Sequence, residues 1–252
     1  LKKIESIKNP LVKEWKKLQT RKERERTQSF LIEGFHLVEE ALGYPDRVTQ
    51  IIISENAEMP SRWELNDITI IVVTDEIMKE ICDTETTQGI AAVCKKVDSH
   101  DLNMDKPSPR FLLIDAVQDP GNLGTIIRTA EAAGIDAIFI GEGTVDIYNS
   151  KVVRSTQGAI FHLPIIKGNL HEWIRRLKER NIPVYGTALQ NAVPYQEVSS
   201  KGSFALIVGN EGNGVAKDLL VETTQNLYIP IYGKSESLNV AIAAAILVYH
   251  LR

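Results

Sequence analysis

Cysteine is scarce in this chain: Cys82 and Cys94 are the two in 252 residues, with no CxxC pair and no histidine cluster at zinc-ligand spacing. A disulfide framework and a zinc centre are therefore excluded. Both thiols are expected to be reduced, half-buried structural groups, and no metal site is expected. The histidines His36, His100, His162, His171 and His250 are scattered and read as structural or surface residues. A long hydrophobic run is missing too. The N-terminus is charged from Lys2 onward with no apolar signal segment, and the longest apolar stretch, near 240–248, is far short of a membrane span. A cytoplasmic protein is expected. Nor is there an excess of positive charge, since a net charge of −4 and a pI near 5.8 carry no overall signal for nucleic acid.

The chain average hides an asymmetry. Residues 1–30 hold ten Lys or Arg against four Glu, a balance of +6 that leaves −10 on the remainder. Residues 9–26 set Leu11, Trp15 and Leu18 at helical spacing with cations on the other faces, which predicts one amphipathic basic helix. Cations gathered beside an acidic body suit phosphate steering. Lys8, Lys13, Lys16, Lys17, Arg21 and Lys22 are accordingly candidate RNA contacts, with a solvated surface helix as the plainer alternative.

At 252 residues and 43% hydrophobic content the chain can form two ordinary domains. The runs 30–34, 50–54, 68–74 and 89–94 have strand length and β-branched content, and helical patterns at 37–42 and 75–81 alternate with them. A compact α/β domain over 1–97 is expected. Residues 98–109 (DSHDLNMDKPSP) are polar, carry two prolines and lack periodicity, which is linker composition. Alternation then resumes over 110–252. Strands are expected at 110–115, 137–140, 182–188, 204–208 and 226–229, and helices at 123–134, 151–159, 171–180 and 237–250. Strands separated by helices predict a parallel sheet covered on both faces, with ligands at the carboxyl ends of the strands.

Three segments at such strand ends carry chemistry. The first, Asp119-Pro-Gly-Asn122-Leu-Gly124-Thr-Ile-Ile-Arg128, follows the strand FLLID. It places free backbone N–H groups near a helix start, with an arginine about one and a half turns on that can grip a phosphate bidentately. The second, Gly209-Asn210-Glu211-Gly212-Asn213-Gly214, empties from the strand FALIV, and its glycines let backbone come close to a ligand. Its G-x-x-G-x-G spacing, late in the chain, departs from the dinucleotide fingerprint, and no Walker lysine follows. The third runs Ile229-Pro230-Ile-Tyr-Gly233-Lys-Ser-Glu-Ser237-Leu238-Asn239 into an alanine-rich helix that Ser237 or Asn239 can cap.

In order, N-x-x-G-x-x-x-R (Asn122, Gly124, Arg128), G-N-E-G-x-G (Gly209 to Gly214) and I-P followed by S-L-N resemble the three signature segments of the SpoU-type (TrmH-like) RNA 2′-O-ribose methyltransferases of the SPOUT superfamily. The likeness spans residues 108–252. Upstream, KNPLVKEW, FLIEG and TTQGIAAV resemble the small ribosomal-protein-like α/β substrate-binding domain carried by relatives that modify ribosomal RNA. The resemblance implies an α/β catalytic domain whose parallel sheet is closed by a deep trefoil knot, a homodimer, and S-adenosylmethionine as methyl donor. It implies Arg128, Asn122, Glu211, Ser237 and Asn239 as catalytic residues. Donor contacts would come from Thr187, Ala188, Leu189, Gly209, Asn210, Gly214, Ile229 and Leu238, and Arg128 and Arg154 would join the RNA contacts. Arginine is effectively always protonated, so Arg128 is read as a clamp on the neighbouring phosphate that polarises the hydroxyl. The acceptor implied is a ribose 2′-hydroxyl in ribosomal RNA. A transfer-RNA ribose methyltransferase, or a non-catalytic RNA-binding protein of the same fold, are the alternatives.

Overall fold

A computed structural model describes residues 2–65, 68–96, 102, 104–199 and 202–252. His100 and much of the linker, residues 98–101 and 103, lie outside the described residues. The chain forms two compact units, one of Leu1–Asp98 with Asp146–Phe161, the other of Ser99–Val145 with His162–Arg252.

The first unit opens with β1 (Lys2–Ile4), α1 (Pro10–Lys17), α2 (Arg21–Thr27), β2 (Ser29–Glu33) and α3 (Phe35–Leu42). It continues with β3 (Val48–Ser54), β4 (Thr69–Val73), α4 (Asp75–Ile81) and β5 (Ile90–Lys95). The sheet order is β1-β4-β3-β5-β2, with β5 antiparallel to both neighbours and the other pairs parallel. Val12, Trp15 and Leu18 pack with Ile77, Met78 and Ile81 of α4 against Ile52, Ile71 and Val93 of the sheet. Trp15 donates its indole N–H to Gln50 at 2.8 Å, so the largest side chain of α1 enters the core without losing its polar partner.

The single basic helix expected over 9–26 is two helices. Asn9 caps α1 by accepting from the Leu11 N–H at 3.0 Å, and Pro10 occupies the first turn. Thr20 opens α2 by accepting from the Glu23 N–H. Between them Arg24 donates to the carbonyls of Leu18 and Gln19, both at 2.8 Å. These are carbonyls that a helix end leaves without an intrahelical donor. One cation of the basic stretch is therefore not a surface charge. Arg24 is 4% exposed, and its Nη2 and Nε meet Asp146 at 2.7 and 3.2 Å.

The second unit begins with β6 (Arg110–Ile114), α5 (Pro120–Ala132) and β7 (Ala137–Ile140). The chain then enters the Asp146–Phe161 segment of the first unit, which carries α6 (Ser150–Thr156) and most of α7 (Ala159–His162). The helix expected at 151–159 breaks because Gln157 (φ 50°) and Gly158 (φ 96°) both take left-handed backbone. A Cβ at Gly158 would run into Glu40 of α3. Tyr148 and Phe161 pack on Phe30, with ring centroids 4.6 and 6.3 Å away, so this segment completes the first unit's core.

The chain goes on through β8 (Ile165–Lys167), α8 (Leu170–Glu179), β9 (Val184–Thr187), β10 (Val193–Pro194), a 3-10 turn at Tyr195–Glu197, β11 (Phe204–Val208), α9 (Lys217–Leu220), β12 (Gln225–Tyr228) and α10 (Val240–Leu251). The seven strands run β10-β12-β9-β11-β6-β7-β8, and every pair is parallel. Phe111, Leu113, Phe139 and Ile207 pack against Ile174 and Leu177 of α8 and Leu219 of α9. The alternate residues Leu112, Ile114, Leu206 and Val208 are equally buried, and α10 packs on α5 and on β11. Both faces of the sheet are thus covered, as an all-parallel sheet requires. Leu102 and Met104, within the stretch of linker composition, pack on this core. The two cysteines are buried rather than half-buried, and burial pushes the Cys82 thiol up to about 12 and raises that of Cys94 as well. No helix among the described residues is long and apolar enough to cross a membrane.

Removing one member of a buried ion pair leaves its partner charged in a dry site, which costs about 3–5 kcal/mol. Asp146→Ala is expected to lower the unfolding free energy by that order in chemical denaturation. Arg24→Met with Asp146→Leu should cost less than either single change. A single-variant cost below about 1 kcal/mol would show the pair to be energetically idle.

Candidate active site

The four adjacent strands β12, β9, β11 and β6 all point the same way, so the loops that leave them lie along one edge. α5 begins at Pro120, three residues before the start expected from the sequence. Asp119 accepts from the Asn122 N–H at 2.8 Å, and Pro120 sits where a helix needs no donor. What reads as a Pro-Gly turn is the helix's first turn. It puts Asn122 on α5, and Ala116 (φ 53°) makes the sharp exit from β6.

Glu211 joins this turn to the loop after β11. Its Oε1 accepts from the Asp119 N–H at 3.0 Å and from Asn122 Nδ2 at 3.1 Å, and its Oε2 accepts from the Gln118 N–H at 3.1 Å. The carboxyl titrates below its usual range. Partial burial opposes ionisation, but the Asn122 amide and the Asp119 and Gln118 backbone donors outweigh it. A carboxylate so occupied is a clamp, poorly placed to take a proton. Asn122 passes the connection on: its Oδ1 accepts from Asn239 Nδ2 at 2.9 Å, while Asn239 Oδ1 caps α10 through the Ala241 and Ile242 N–H groups at 2.9 and 3.4 Å. Of the two residues expected to cap the last helix, Asn239 does so, and Ser237 is exposed two residues before it.

The glycine-rich loop is a closed hairpin. Asn210 and Gly214 exchange backbone hydrogen bonds at 3.0 and 2.9 Å, and Asn210 Oδ1 accepts from the Gly212 and Asn213 N–H groups at 3.0 Å. Asn210 Nδ2 ties the loop to the Ala116 carbonyl at 2.9 Å. A Cβ on Gly209 would overlap the Gly214 and Val215 backbone, so this position admits only glycine. Asp115, absent from the sequence-based candidates, accepts from the Ala216 N–H at 2.7 Å and fixes the far side of the same loop. Its position at the end of β6 was the available signal.

The remaining candidates fall around this frame. Thr187 ends β9, the Ala188 N–H donates to the Leu227 carbonyl at 3.1 Å, and Leu189 is 74% exposed. Ile229 follows β12, and Leu238 is 38% exposed beside Asn239. Arg128 is exposed on α5 and, among the described residues, has no hydrogen-bond or ion-pair partner. In the first unit Lys8, Lys13, Lys16, Lys17, Arg21 and Lys22 are exposed, with Lys16 paired to Glu80 and Arg21 near Glu25. Arg154 is half-buried, held by Glu33 and 3.8 Å from Asp83. Among the described residues no group of three or more acidic, histidine or cysteine side chains is arranged to hold a metal.

The parallel sheet, with three loops at its carboxyl edge joined by side-chain amides and one carboxylate, can be set beside known proteins. The chain belongs to the SpoU rRNA methylase family, whose model matches residues 109–249, and the model of the MRM3-like substrate binding domain matches residues 9–92. It is 54% identical, over the whole of both chains, to the 23S rRNA (guanosine(2553)-2′-O)-methyltransferase RlmP of Bacillus subtilis. Among solved structures it resembles the AdoMet-bound rRNA methyltransferase from Sinorhizobium meliloti, with a TM-score of 0.90 and 30% identity over 100% of this chain and 97% of that one. An RNA 2′-O ribose methyltransferase matches with a TM-score of 0.85 and 28% identity over 99% of this chain and 97% of the other.

The lowered Glu211 value fixes a pH dependence. The clamp's contribution is complete above the ordinary carboxylate range and is lost as pH falls through the lowered folded value. Protection of the Gln118 and Asp119 amides against hydrogen exchange is expected to hold from neutrality to the usual carboxylate range and to fall below it. Glu211→Gln should weaken that protection where the wild-type carboxylate is charged and remove its pH dependence. Protection that is unchanged in Glu211→Gln would rule the clamp out.

Proposed function

We propose that this protein transfers a methyl group from S-adenosylmethionine to a ribose 2′-hydroxyl of 23S ribosomal RNA, at the guanosine that its Bacillus subtilis relative is named for. The observation that carries the reading is the chain of hydrogen bonds from Glu211 through Asn122 to Asn239, which binds three loops together at the edge of the sheet, with Arg128 uncommitted on the helix that starts there. Identity of 54% over the whole length with that relative supports the same acceptor.

The residues at the edge fit the donor. The exposed apolar side chains of Leu189 and Leu238 suit an adenosine group, with Thr187, Ala188, Gly209, Asn210, Gly214 and Ile229 as its further contacts. Bound there, the donor supplies an electrophilic methyl on a sulfonium sulfur. The protein's task is then alignment, which can supply about 7–11 kcal/mol of a barrier when reacting atoms are held in line. Arg128 holds the phosphate beside the acceptor ribose and polarises the hydroxyl, and its permanent charge keeps it from serving as the base. Asn122 and Glu211 hold the turn at which α5, the helix of Arg128, begins, and Asn239 holds the third loop against it, with Ser237 exposed on that loop to meet donor or RNA.

Residues 1–97 act as the RNA-binding domain and 110–252 as the methyltransferase domain, joined by 98–109, with 146–161 lent to the core of the first unit. The exposed lysines of α1 and α2 grip RNA phosphates, with Arg154 as a further candidate. The enzyme works as a homodimer in the cytoplasm. Support for a dimer comes from α10, which is apolar all round yet leaves Ile242 and Tyr249, one stripe of the helix, 53% exposed each. The trefoil knot is part of the same family reading.

Incubation of the wild type with labelled S-adenosylmethionine and unmodified ribosomal RNA is expected to yield 2′-O-methylguanosine in 23S RNA. Arg128→Ala should lower the rate by about a hundredfold or more while donor affinity stays within twofold. Label appearing in transfer RNA alone would move the acceptor, and failure to bind the donor would end the methyltransferase reading.

A further inference from the structure

Six large apolar side chains are exposed among the described residues: Leu189, Val221, Tyr232, Leu238, Ile242 and Tyr249. Leu189 and Leu238 belong to the donor pocket of the reading above. Ile242 and Tyr249 form the stripe on α10, and Val221 stands alone after α9. Tyr232 is left. It is 91% exposed, more than any of the others, and its hydroxyl has no hydrogen-bond partner among the described residues. A tyrosine contributes to stability by burying its ring, and at this exposure the fold gains almost nothing from it.

Its place in the chain is informative. Residues 232–239 are all exposed, and they form the loop that leaves β12 at the carboxyl edge and ends at Asn239. The Asn239 side chain is bound to Asn122, and through it to Glu211, so the loop is pinned to the candidate active site at its far end. Pro230 sits two residues before Tyr232, and the exposed Lys234 two residues after it. An aromatic ring and a cation two residues apart on a solvent-facing loop supply the two elements by which proteins hold unpaired RNA. The ring stacks on a base and the cation meets the adjoining phosphate.

We propose that Tyr232 is a positioning residue for the acceptor RNA: its ring stacks on an unpaired nucleobase flanking the target nucleotide and so fixes the ribose relative to Arg128. The inference rests on the methyltransferase reading. Stacking needs the ring and not the hydroxyl, and it acts on RNA without touching the donor. Those two properties separate it from a structural role and from a share in donor binding.

The test uses the full-length protein, S-adenosylmethionine and a 23S RNA fragment containing the target loop. Tyr232→Ala is expected to raise KM for RNA by about 5- to 140-fold, the range that stacking on one base accounts for. Tyr232→Phe should restore the wild-type value, and the donor Kd should be the same in all three proteins. Replacing the stacked base by an abasic residue should weaken the wild type by a similar factor and leave Tyr232→Ala almost unaffected. An unchanged KM in Tyr232→Ala overturns the proposal. So does a defect that Tyr232→Phe shares, or one that follows loss of a dimer by light scattering. Failure of the wild type to methylate any RNA would instead strike the functional reading beneath it.

Discussion

The candidate site depends on one carboxylate that stays charged. Glu211 accepts two backbone N–H groups from the turn after β6 and one side-chain amide from Asn122, and that amide's oxygen in turn holds Asn239. Hydrogen bonds to a charged acceptor are roughly twice as strong as neutral ones. Here they join segments about 90 residues apart in the chain, and the neutral amide bond from Asn239 to Asn122 adds a segment 117 residues from α5. Each loop alone is a polar excursion from a strand end. Joined, they become one surface whose parts cannot move independently, which is the condition for in-line transfer between two bound molecules. The glycines serve the same end from the other side, since Gly209 lets backbone meet backbone where any side chain would hold the hairpin open.

A buried ion pair, Arg24 with Asp146, has a structural part of its own. It lies in the first unit, although Asp146 is contributed by a stretch that falls within the matched methylase region of the sequence. Arg24 also closes the carbonyl end of α1, so a single guanidinium serves both the break between the basic helices and the docking of Asp146–Phe161. The basic surface and the inserted segment are thus built on the same residue. This also explains why the local charge count overstates the positive surface of α2: one of its arginines faces inward.

Much of the fold was legible. The strand Ala137–Ile140, the strand Phe204–Val208 and the helix Asp75–Ile81 have the bounds that their β-branched runs and helical spacing imply. The short strands β1, β8 and β10, of two or three residues, carry too little pattern to be seen. The break at Leu18–Thr20 has a signal in Thr20 three residues before Glu23, which the spacing of Leu11, Trp15 and Leu18 alone does not show. Residence of 146–161 in the first unit has no local signature at all, because it is a matter of which distant side chains fill a core. At the candidate site, the loops were readable from Gly, Asn and Pro following apolar strands. That Glu211, Asn122 and Asn239 touch was not, since contact across two crossovers is decided by register.

The most direct measurement of the account's central claim is hydrogen exchange of the full-length protein with and without S-adenosylmethionine. If the loops after β9, β11 and β12 form one donor site on the frame that Glu211 and Asn122 hold, protection should rise together at 187–189, 209–214 and 229–239, with little change on α1 and α2. Protection confined to other segments, or no change at a saturating donor concentration, would contradict the account.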